Sequence, residues 1–193
     1  CTPTFIRAEA ERCGVRNGYR KPQQLGSDRW AALIAARQQN SAACLVVNCG
    51  TATTVDALTA QGEFLGGLIL PGVSLMLGSL AANTAQLEEG AGEVSDFPCD
   101  TAAAMRSGAV RATQGAILHQ FALLQQREGI VHCLISGGAA RTVMQGLSVP
   151  RSSSAALFTN SAPQVLRDET PSRQRDGSGT STSASSAKTL KGT

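Results

Sequence analysis

Apolar runs separated by glycine turns occupy the middle of the chain, and their spacing predicts three consecutive strands. The run at 43–48 predicts the first strand, which turns at Gly50 into a second strand at 53–58. Gln61-Gly62 marks a hairpin turn, and a third strand follows at 63–70. Because each run is short and bounded by turn residues, we expect strands here and not helices.

Two segments carry apolar side chains at helical spacing. We expect Asp28 to cap a first helix over 29–38. Pro71-Gly72 ends the third strand, and a second helix is predicted over 73–82. The side chains expected to face inward are Trp30, Leu33 and Ile34 in the first helix and Leu75, Met76 and Leu80 in the second.

A long helix is predicted from Ala102 to about Gln126, with Asp100 or Thr101 as its N-cap. It follows an acidic loop. Gly108 and Gly115 are seven residues apart and lie on nearly one face of this helix. Because glycine has no side chain, we expect another element to pack closely against that face.

A buried strand at 131–135 and a short helix at 139–145 follow the long helix. The resulting order is three strands, two helices, a strand and a helix. That order fits one RNase H-like half and does not fit a continuous βαβ array of the Rossmann type. We assign 28–150 to this α/β unit and 1–27 to a lead-in segment.

The apolar pattern fails after about Ser152. Residues 168–193 hold 11 Ser or Thr among 26 residues, with one leucine and no aromatic residue. Such a segment buries too little apolar surface to fold, so we expect 151–193 to be an atypical, mostly disordered tail. A shifted reading frame and an unusual terminus both remain open as its origin.

Charge and composition argue against two classes of partner. The formal net charge of the chain is +3, but residues 1–166 carry 12 basic and 11 acidic groups and are close to neutral. Aromatic residues make up 4% of the chain and do not interleave with a basic stripe, so no nucleic-acid partner is expected. No apolar run approaches 18 residues, so no membrane span is expected.

The six cysteines are scattered and form no C-x-x-C pair. With only two histidines in the chain, a structural zinc site is not expected. Cys44 and Cys133 fall within apolar strands, where a free cysteine behaves as a small hydrophobic residue. We interpret the cysteines as reduced thiols of a cytoplasmic protein.

The turn after the first strand carries the strongest chemical signal. Gly50 is followed by Thr51, Thr53 and Thr54, so backbone N–H and hydroxyl donors surround one position. Donors held on a tight turn at a strand end are suited to binding a phosphate. A hairpin whose threonines serve only as strand residues is the alternative.

Two further glycine turns follow apolar runs, at 66–72 and at 136–140. Neither matches a P-loop or a dinucleotide fingerprint. Three such turns together suggest a nucleotide cleft, although Gly-Gly pairs at strand ends are also common as plain turns.

Several motifs occur in the order and at about the spacing of one protein family. They are Gly18-Tyr19-Arg20-Lys21-Pro22, Leu25-Gly26-Ser27-Asp28-Arg29-Trp30, the turn at 49–54, the segment 66–72, and Phe97-Pro98 with Asp100-Thr101. From about Cys13 to Gly146 the chain resembles the type III pantothenate kinases, which include the Bvg accessory factor proteins. The resemblance implies an acetate-and-sugar-kinase/Hsp70/actin type of fold, in which two RNase H-like halves close on ATP.

The resemblance also implies site residues. Asp28 is the candidate base for the pantothenate hydroxyl, although an N-cap role is its structural alternative. Substrate binding is implied for Tyr19, Gly26, Ser27, Asp28, Arg29 and Thr101. Arg29 would form a fork on the substrate carboxylate. Thr51 would contact an ATP phosphate, with magnesium and a monovalent cation (potassium or ammonium) as cofactors and a homodimer as the assembly.

Two positions depart from the family pattern. Asn48 stands where the family usually carries an aspartate that binds the monovalent cation, so cation binding should weaken or change. Asp100 stands in place of an asparagine and adds a negative charge near an anionic substrate.

The start of the chain differs as well. It begins at Cys1, and nothing in 1–27 resembles the Asp-x-Gly-Asn-Thr turn with which these kinases begin. We therefore expect the chain to represent the second half of such a kinase with some linking sequence, and to be inactive alone.

Three functions remain open at this stage. The leading one is ATP-dependent phosphorylation of pantothenate, the first step of coenzyme A synthesis. The second is a non-catalytic accessory factor that acts through protein contacts in virulence-gene regulation. The third is a pseudogene-derived remnant.

Overall fold

The computed structural model describes residues 7–82 and 92–148, together with the backbone of two strands at 154–157 and 164–165. The strands are β1 (Glu11–Arg12), β2 (Val15–Asn17), β3 (Ala43–Cys49), β4 (Ala52–Leu58), β5 (Glu63–Pro71), β6 (Val131–Ser136), β7 (Ser154–Leu157) and β8 (Gln164–Val165). The α-helices are α1 (Ser27–Gln39), α2 (Val73–Ala82), α3 (Thr101–Glu128) and α4 (Ala140–Met144), and a 3-10 helix spans Pro22–Gln24.

The fold is mixed α/β, built on one sheet with the strand order β1-β2-β5-β4-β3-β6-β7-β8. Strands β3, β4 and β5 are antiparallel neighbours, whereas β6 runs parallel to β3 and β7 runs parallel to β6. Gly62 has φ +82° in the turn between β4 and β5, which is the conformation a glycine hairpin turn predicts. The predicted order of elements over 43–145 is confirmed.

The two faces of the sheet pack against different helices, because successive side chains of a strand point to opposite sides. On the α1 face, the buried residues are Cys44, Val46, Leu58, Phe64 and Leu134 of the strands with Trp30, Leu33 and Ala36 of α1. On the α3 face, they include Leu45, Val47, Val55, Cys133 and Ile135 with Val110, Ile117 and Phe121 of α3 and Val143 of α4.

The starts of the two longest helices differ in how they are capped. Gly26 is the N-cap residue of α1, and no side chain makes a capping hydrogen bond there. The prediction that Asp28 is the cap is therefore wrong, because the helix begins at Ser27 and places Asp28 in its first turn. At α3, Asp100 is the N-cap, and its Oδ1 accepts a hydrogen bond of 2.8 Å from the Ala103 N–H, as predicted.

Two packing predictions for the helices are wrong. Leu75 and Leu80 of α2 are 50% and 46% exposed, because α2 contacts the core through Val73, Met76 and Leu77. A Cβ at Gly108 or Gly115 would meet nothing within 4 Å among the described residues, so no element packs closely there.

None of the helices in the described ranges is long and apolar enough to cross a membrane.

Strands also occur where the sequence predicted none. β2 lies beside β5, and the Arg16 N–H donates a 2.8 Å hydrogen bond to the Gly62 carbonyl. β7 and β8 extend the sheet on the other side. Strands of two to four residues are too short for an alternating pattern to show.

The predicted boundaries of the α/β unit, after residues 27 and 150, stay predictions. The disorder expected over 168–193 concerns residues outside the described ones.

The five cysteines in the described ranges are all free. Cys44 and Cys133 are buried in the strands predicted to hold them, and Cys49 is buried at the end of β3. Burial raises the pKa of Cys44 and that of Cys49 to about 11, and it raises the pKa of Cys133 as well. These thiols act as small apolar residues, whereas Cys13 and Cys99 are exposed.

The α1 face predicts a stability difference between two leucines on helices. Leu33→Ala removes a fully buried side chain and should lower the free energy of unfolding by about 2–5 kcal/mol. Leu75→Ala, the matched control, removes a half-exposed side chain and should cost less than about 1 kcal/mol. Urea unfolding of both variants measures the difference, and equal losses would contradict the described packing of α1 and α2.

Candidate active site

Three glycine turns meet at the carboxyl end of β3. Gly50 directly follows that strand, and Gly72 follows β5, which ends at the same edge of the sheet. A Cβ on Gly72 would overlap the carbonyl oxygens of Gly50 and Thr51, and the Gly72 N–H donates a 2.8 Å hydrogen bond to the Thr51 carbonyl. Only a glycine permits that approach.

The turn after β6 closes on the same point. Gly137 has φ +97°, and a Cβ there would overlap the Cys49 carbonyl and lie 2.8 Å from Asn48 Oδ1. The Ala139 N–H donates a 3.2 Å hydrogen bond to the Cys49 carbonyl. The structure thus brings together the turns from which a nucleotide cleft was predicted.

The threonines of this turn do not form one row of donors. Thr51 is exposed, but Thr53 and Thr54 are buried within β4. Thr53 alternates with Thr54, so it points to the α3 face. Its hydroxyl has no hydrogen-bond partner among the described residues. The prediction of three hydroxyls around one anion is wrong, and Thr51 alone is available at the turn.

Asn48 lies at the end of β3 on the α1 face, half-buried, with Thr54 and Ser136 beside it in the sheet register. The Ser136 hydroxyl donates a 3.2 Å hydrogen bond to the Val47 carbonyl. Within the described ranges, no group of three or more His, Cys, Asp or Glu residues could hold a metal ion. A cation here would depend on amide, hydroxyl and carbonyl oxygens.

A buried ion pair lies further along the same face. Arg29 and Asp56 are 6% and 1% exposed. The Arg29 Nε–H donates to Asp56 Oδ2 at 3.1 Å, and its Nη2 donates to Asp56 Oδ1, so the contact is bidentate. The sequence predicted that Arg29 forms a fork on the substrate carboxylate. In the structure the guanidinium binds the carboxylate of Asp56 instead, and a substrate role for Arg29 stays a prediction.

Aromatic rings and a glycine enclose this pair. The Arg29 Nη1 donates a 2.9 Å hydrogen bond to the Tyr19 hydroxyl. The guanidinium carbon lies 5.7 Å from the centre of the Tyr19 ring and 5.9 Å from that of Phe64. Gly67 lies opposite Asp56 in β5, and a Cβ on Gly67 would overlap Asp56 Oδ1.

The charges in this cluster influence one another. Burial lowers the pKa of Arg29, but the hydrogen bonds and the charge of Asp56 outweigh burial, so the Arg29 pKa is raised. Burial raises the pKa of Asp56, and Arg29 offsets part of this shift. The charge of Asp28 raises the Asp56 pKa further, whereas a hydrogen bond from Thr54 lowers it. Asp28 directly precedes Arg29 in α1, so the two aspartates lie on either side of the same arginine in this cluster.

The remaining predicted residues divide between the two faces of the sheet. Gly26, Ser27 and Asp28 are exposed at the start of α1. A Cβ on Gly26 would lie 2.6 Å from Asp28 Oδ1, so glycine leaves room for that carboxylate. Thr101 is exposed at the start of α3, which covers the other face. The structure brings Tyr19 and 26–29 together and leaves Thr101 apart.

Asp56 is the residue of this cluster to which the sequence analysis assigned no role. The signal for it was present, because an aspartate stands within the otherwise apolar half of β4. Charged residues are rarely fully buried unless they are paired. The spacing gave no indication of the partner, since Arg29 lies 27 positions earlier in the chain.

The close approach at Gly72 leads to a prediction about stability. Gly72→Ala would press a methyl group against the backbone at Gly50 and Thr51, and should lower the free energy of unfolding by about 1–3 kcal/mol. Gly138→Ala is the matched control, because a Cβ there meets nothing within 4 Å. Chemical denaturation of both variants is the measurement, and an unaffected Gly72→Ala protein would show that the two turns do not pack together.

Comparison with known proteins identifies the family. The family model described as type III pantothenate kinase matches residues 1–122. A type III pantothenate kinase of Aromatoleum aromaticum is 50% identical over 167 residues, which cover 86% of this chain and 69% of the relative. That of Azoarcus sp. is 50% identical over 145 residues, covering 75% and 55%, and that of Nitrosospira multiformis is 51% identical over 148 residues, covering 76% and 56%.

The chain therefore spans between 55% and 69% of the length of these relatives. The resemblance inferred from the motifs is confirmed by both the family model and the level of identity. The chain belongs to the type III pantothenate kinase family.

Proposed function

We propose that the protein transfers a phosphoryl group from ATP to the hydroxyl of pantothenate, forming 4'-phosphopantothenate in the first step of coenzyme A biosynthesis. Family membership supports this activity. The observation that carries it is the placement of two polar sites on one face. Thr54 lies beside Asn48 in the sheet and stands two residues before Asp56 on the same face of β4, so the glycine turns and the Arg29–Asp56 cluster lie on one face.

We assign the described sheet to one RNase H-like half of an acetate-and-sugar-kinase/Hsp70/actin type of fold. The strand order β5-β4-β3-β6-β7 supports this assignment, because its first three strands form an antiparallel unit and β6 and β7 run parallel to β3. Between two such halves, ATP would contact the turn at the end of β3. Thr51 is its candidate contact, since it is the exposed threonine of that turn.

Asp28 is the proposed base for the pantothenate hydroxyl. Phosphoryl transfer needs a group that orients or deprotonates the attacking hydroxyl, and Asp28 presents an exposed carboxylate in the first turn of α1. The neighbouring Gly26 leaves space around the Asp28 carboxylate. Because this carboxylate is exposed, a substrate hydroxyl can reach it.

Substrate contacts are proposed for the residues around Asp28. Gly26 and Ser27 offer exposed backbone and hydroxyl groups, and Tyr19 lies beside them through its bond to Arg29. Three of the five N–H groups of Arg29 are used by Asp56 and Tyr19, and the other two remain for a substrate oxygen.

Thr101 enters this scheme only through a homodimer. Within one copy it begins the helix on the opposite face of the sheet from Asp28. In the proposed homodimer, Thr101 of one copy would complete the pantothenate site of the other.

The proposed cofactors are ATP, magnesium and a monovalent cation, potassium or ammonium. Asn48 is the residue of the chain that would ligate the monovalent cation, through its amide oxygen beside Gly137. Magnesium would neutralise charge on the transferring phosphate. We place this activity in the cytoplasm, with neither nucleic acid nor a membrane as partner.

One observation favours a second function. Asn48 supplies no negative charge at the cation position, so a non-catalytic accessory role through protein contacts is the competing proposal. Phosphopantothenate formation by the purified protein, in the longest form that its gene encodes, distinguishes the two. Loss of that activity in Asp28→Asn would assign it to this site.

Asp28→Asn should lower kcat far more than it raises KM for pantothenate. Asparagine keeps the size and part of the hydrogen bonding but cannot accept the hydroxyl proton, and losing a general base costs about 10²–10⁴ in rate. Steady-state kinetics is the measurement, with Asp96→Asn, an exposed aspartate, as the control. A kcat within about threefold of wild type, with a raised KM, would make Asp28 a binding residue.

Asn48→Asp should lower the potassium concentration that supports ATP binding. The substitution restores a carboxylate beside the turn, and hard cations prefer charged oxygen ligands. The test is a potassium titration of ATP affinity in both proteins. Identical responses would show that Asn48 does not lie at a cation site.

A further inference from the structure

A buried carboxylate outside the predicted site residues binds the neighbour of the candidate base. Asp56 stands in the middle of β4 with 1% of its surface exposed, on the face that α1 covers. A carboxylate in that position is costly unless it is paired, and its partner is Arg29. The pair therefore joins the central sheet to the first turn of α1.

Three of the five N–H groups of Arg29 are held by neighbouring side chains. Asp56 takes both N–H groups of one edge of the guanidinium, and the Tyr19 hydroxyl takes a third. Gly67 makes the space that the Asp56 carboxylate occupies, since a Cβ there would overlap it. Arg29 is therefore held by groups on β4 and on the segment before α1, both of which lie outside the helix.

Asp28 has no comparable anchor of its own. No hydrogen bond within the described ranges holds its carboxylate, and Gly26, the N-cap residue, supplies no side chain to fix the start of the helix. Asp28 is the residue directly before Arg29 in the same helical turn. Holding the Arg29 side chain against β4 thus sets the backbone position from which the Asp28 carboxylate projects.

We propose that Asp56 is a positioning residue for the phosphoryl transfer: it holds Arg29, and through Arg29 the helical turn that presents Asp28 to the substrate hydroxyl. This inference rests on the proposed kinase function. It assigns Asp56 no contact with substrate, since the residue is buried beneath Arg29. Its effect on kcat therefore passes through the position of Asp28, whereas a loss at the proposed Arg29 substrate contact would appear in KM.

Non-additivity between the two aspartates is the test. Asp56→Asn keeps the shape but removes the charge that holds the Arg29 fork, and should lower kcat about 10²-fold, as a misplacement of about 1 Å does. In the Asp28→Asn background the same substitution should change the remaining turnover by less than about twofold, because there is no base left to misplace.

Asp96→Asn is the matched control. It breaks an Arg–Asp pair of the same chemistry, formed with Arg111 at the surface, where the Asp96 side chain is 80% exposed. Its kcat should stay within about twofold of wild type. Unfolding curves for every variant establish that the folded protein is being assayed.

The outcomes separate the two proposals. Suppose that the wild type is active and that Asp56→Asn lowers kcat by the same factor with and without Asp28, or does not lower it at all. The positioning role is then overturned, and the kinase function stays intact. An inactive wild type overturns both. If Asp56→Asn does not fold, Arg29→Lys decides, because lysine keeps the positive charge but cannot form the bidentate contact with Asp56. A loss of kcat in Arg29→Lys that vanishes in the Asp28→Asn background supports the inference, and an unchanged kcat overturns it.

Discussion

The buried ion pair between Arg29 and Asp56 is the interaction on which the arrangement of the site depends. Removing either charge from water costs several kcal/mol, and the cost is offset only where each group has its hydrogen bonds. Here the guanidinium donates to two carboxylate oxygens and one hydroxyl, so it is well satisfied. The pair can form only when α1 lies against the sheet, which couples the docking of the helix to the formation of the site.

Glycines in β5 and after it connect this pair to the turn at the end of β3. Gly67 leaves room for the Asp56 carboxylate, and Gly72 leaves room for the backbone at Gly50 and Thr51. Strand β5 and the glycine after it therefore shape both the ion pair and the turn, through two glycines that are five residues apart. In an extended strand that separation is about 17 Å. The spacing between the Arg29–Asp56 pair and the turn at the end of β3 is thus set along the sheet and not by a loop.

The sequence predicted the regular elements well because their patterns are local. Alternating and apolar runs indicated β3 to β6 within one or two residues, and Asp100 correctly marked the start of α3. Of the predicted inward residues of α2, Met76 packs against the core but Leu75 and Leu80 do not, because helical spacing alone does not say which stripe meets the sheet.

The candidate site was predictable only in part, for a physical reason. Family motifs indicated Asp28 and the Gly50 turn, but the pairing of Arg29 with Asp56 joins positions 27 apart, which no local pattern encodes. The two-residue alternation of β4 already implied that Thr53 and Thr54 face opposite sides. The burial of both residues within β4, which the alternation does not predict, leaves Thr51 as the exposed hydroxyl of the turn.

The two departures from the family pattern have different structural consequences. At Asp100 the carboxylate caps α3 through the Ala103 N–H, and asparagine and aspartate serve this role about equally well, so the change preserves the start of the helix. At Asn48 the amide oxygen lies against Gly137, in a position that an aspartate oxygen would also fit. The fold therefore tolerates both changes, and what differs is charge: one negative charge is gained beside α3 and one is lost beside the glycine turns. Under the proposed function, the consequence of Asn48 would fall on the binding of a cation and not on the folding of the sheet.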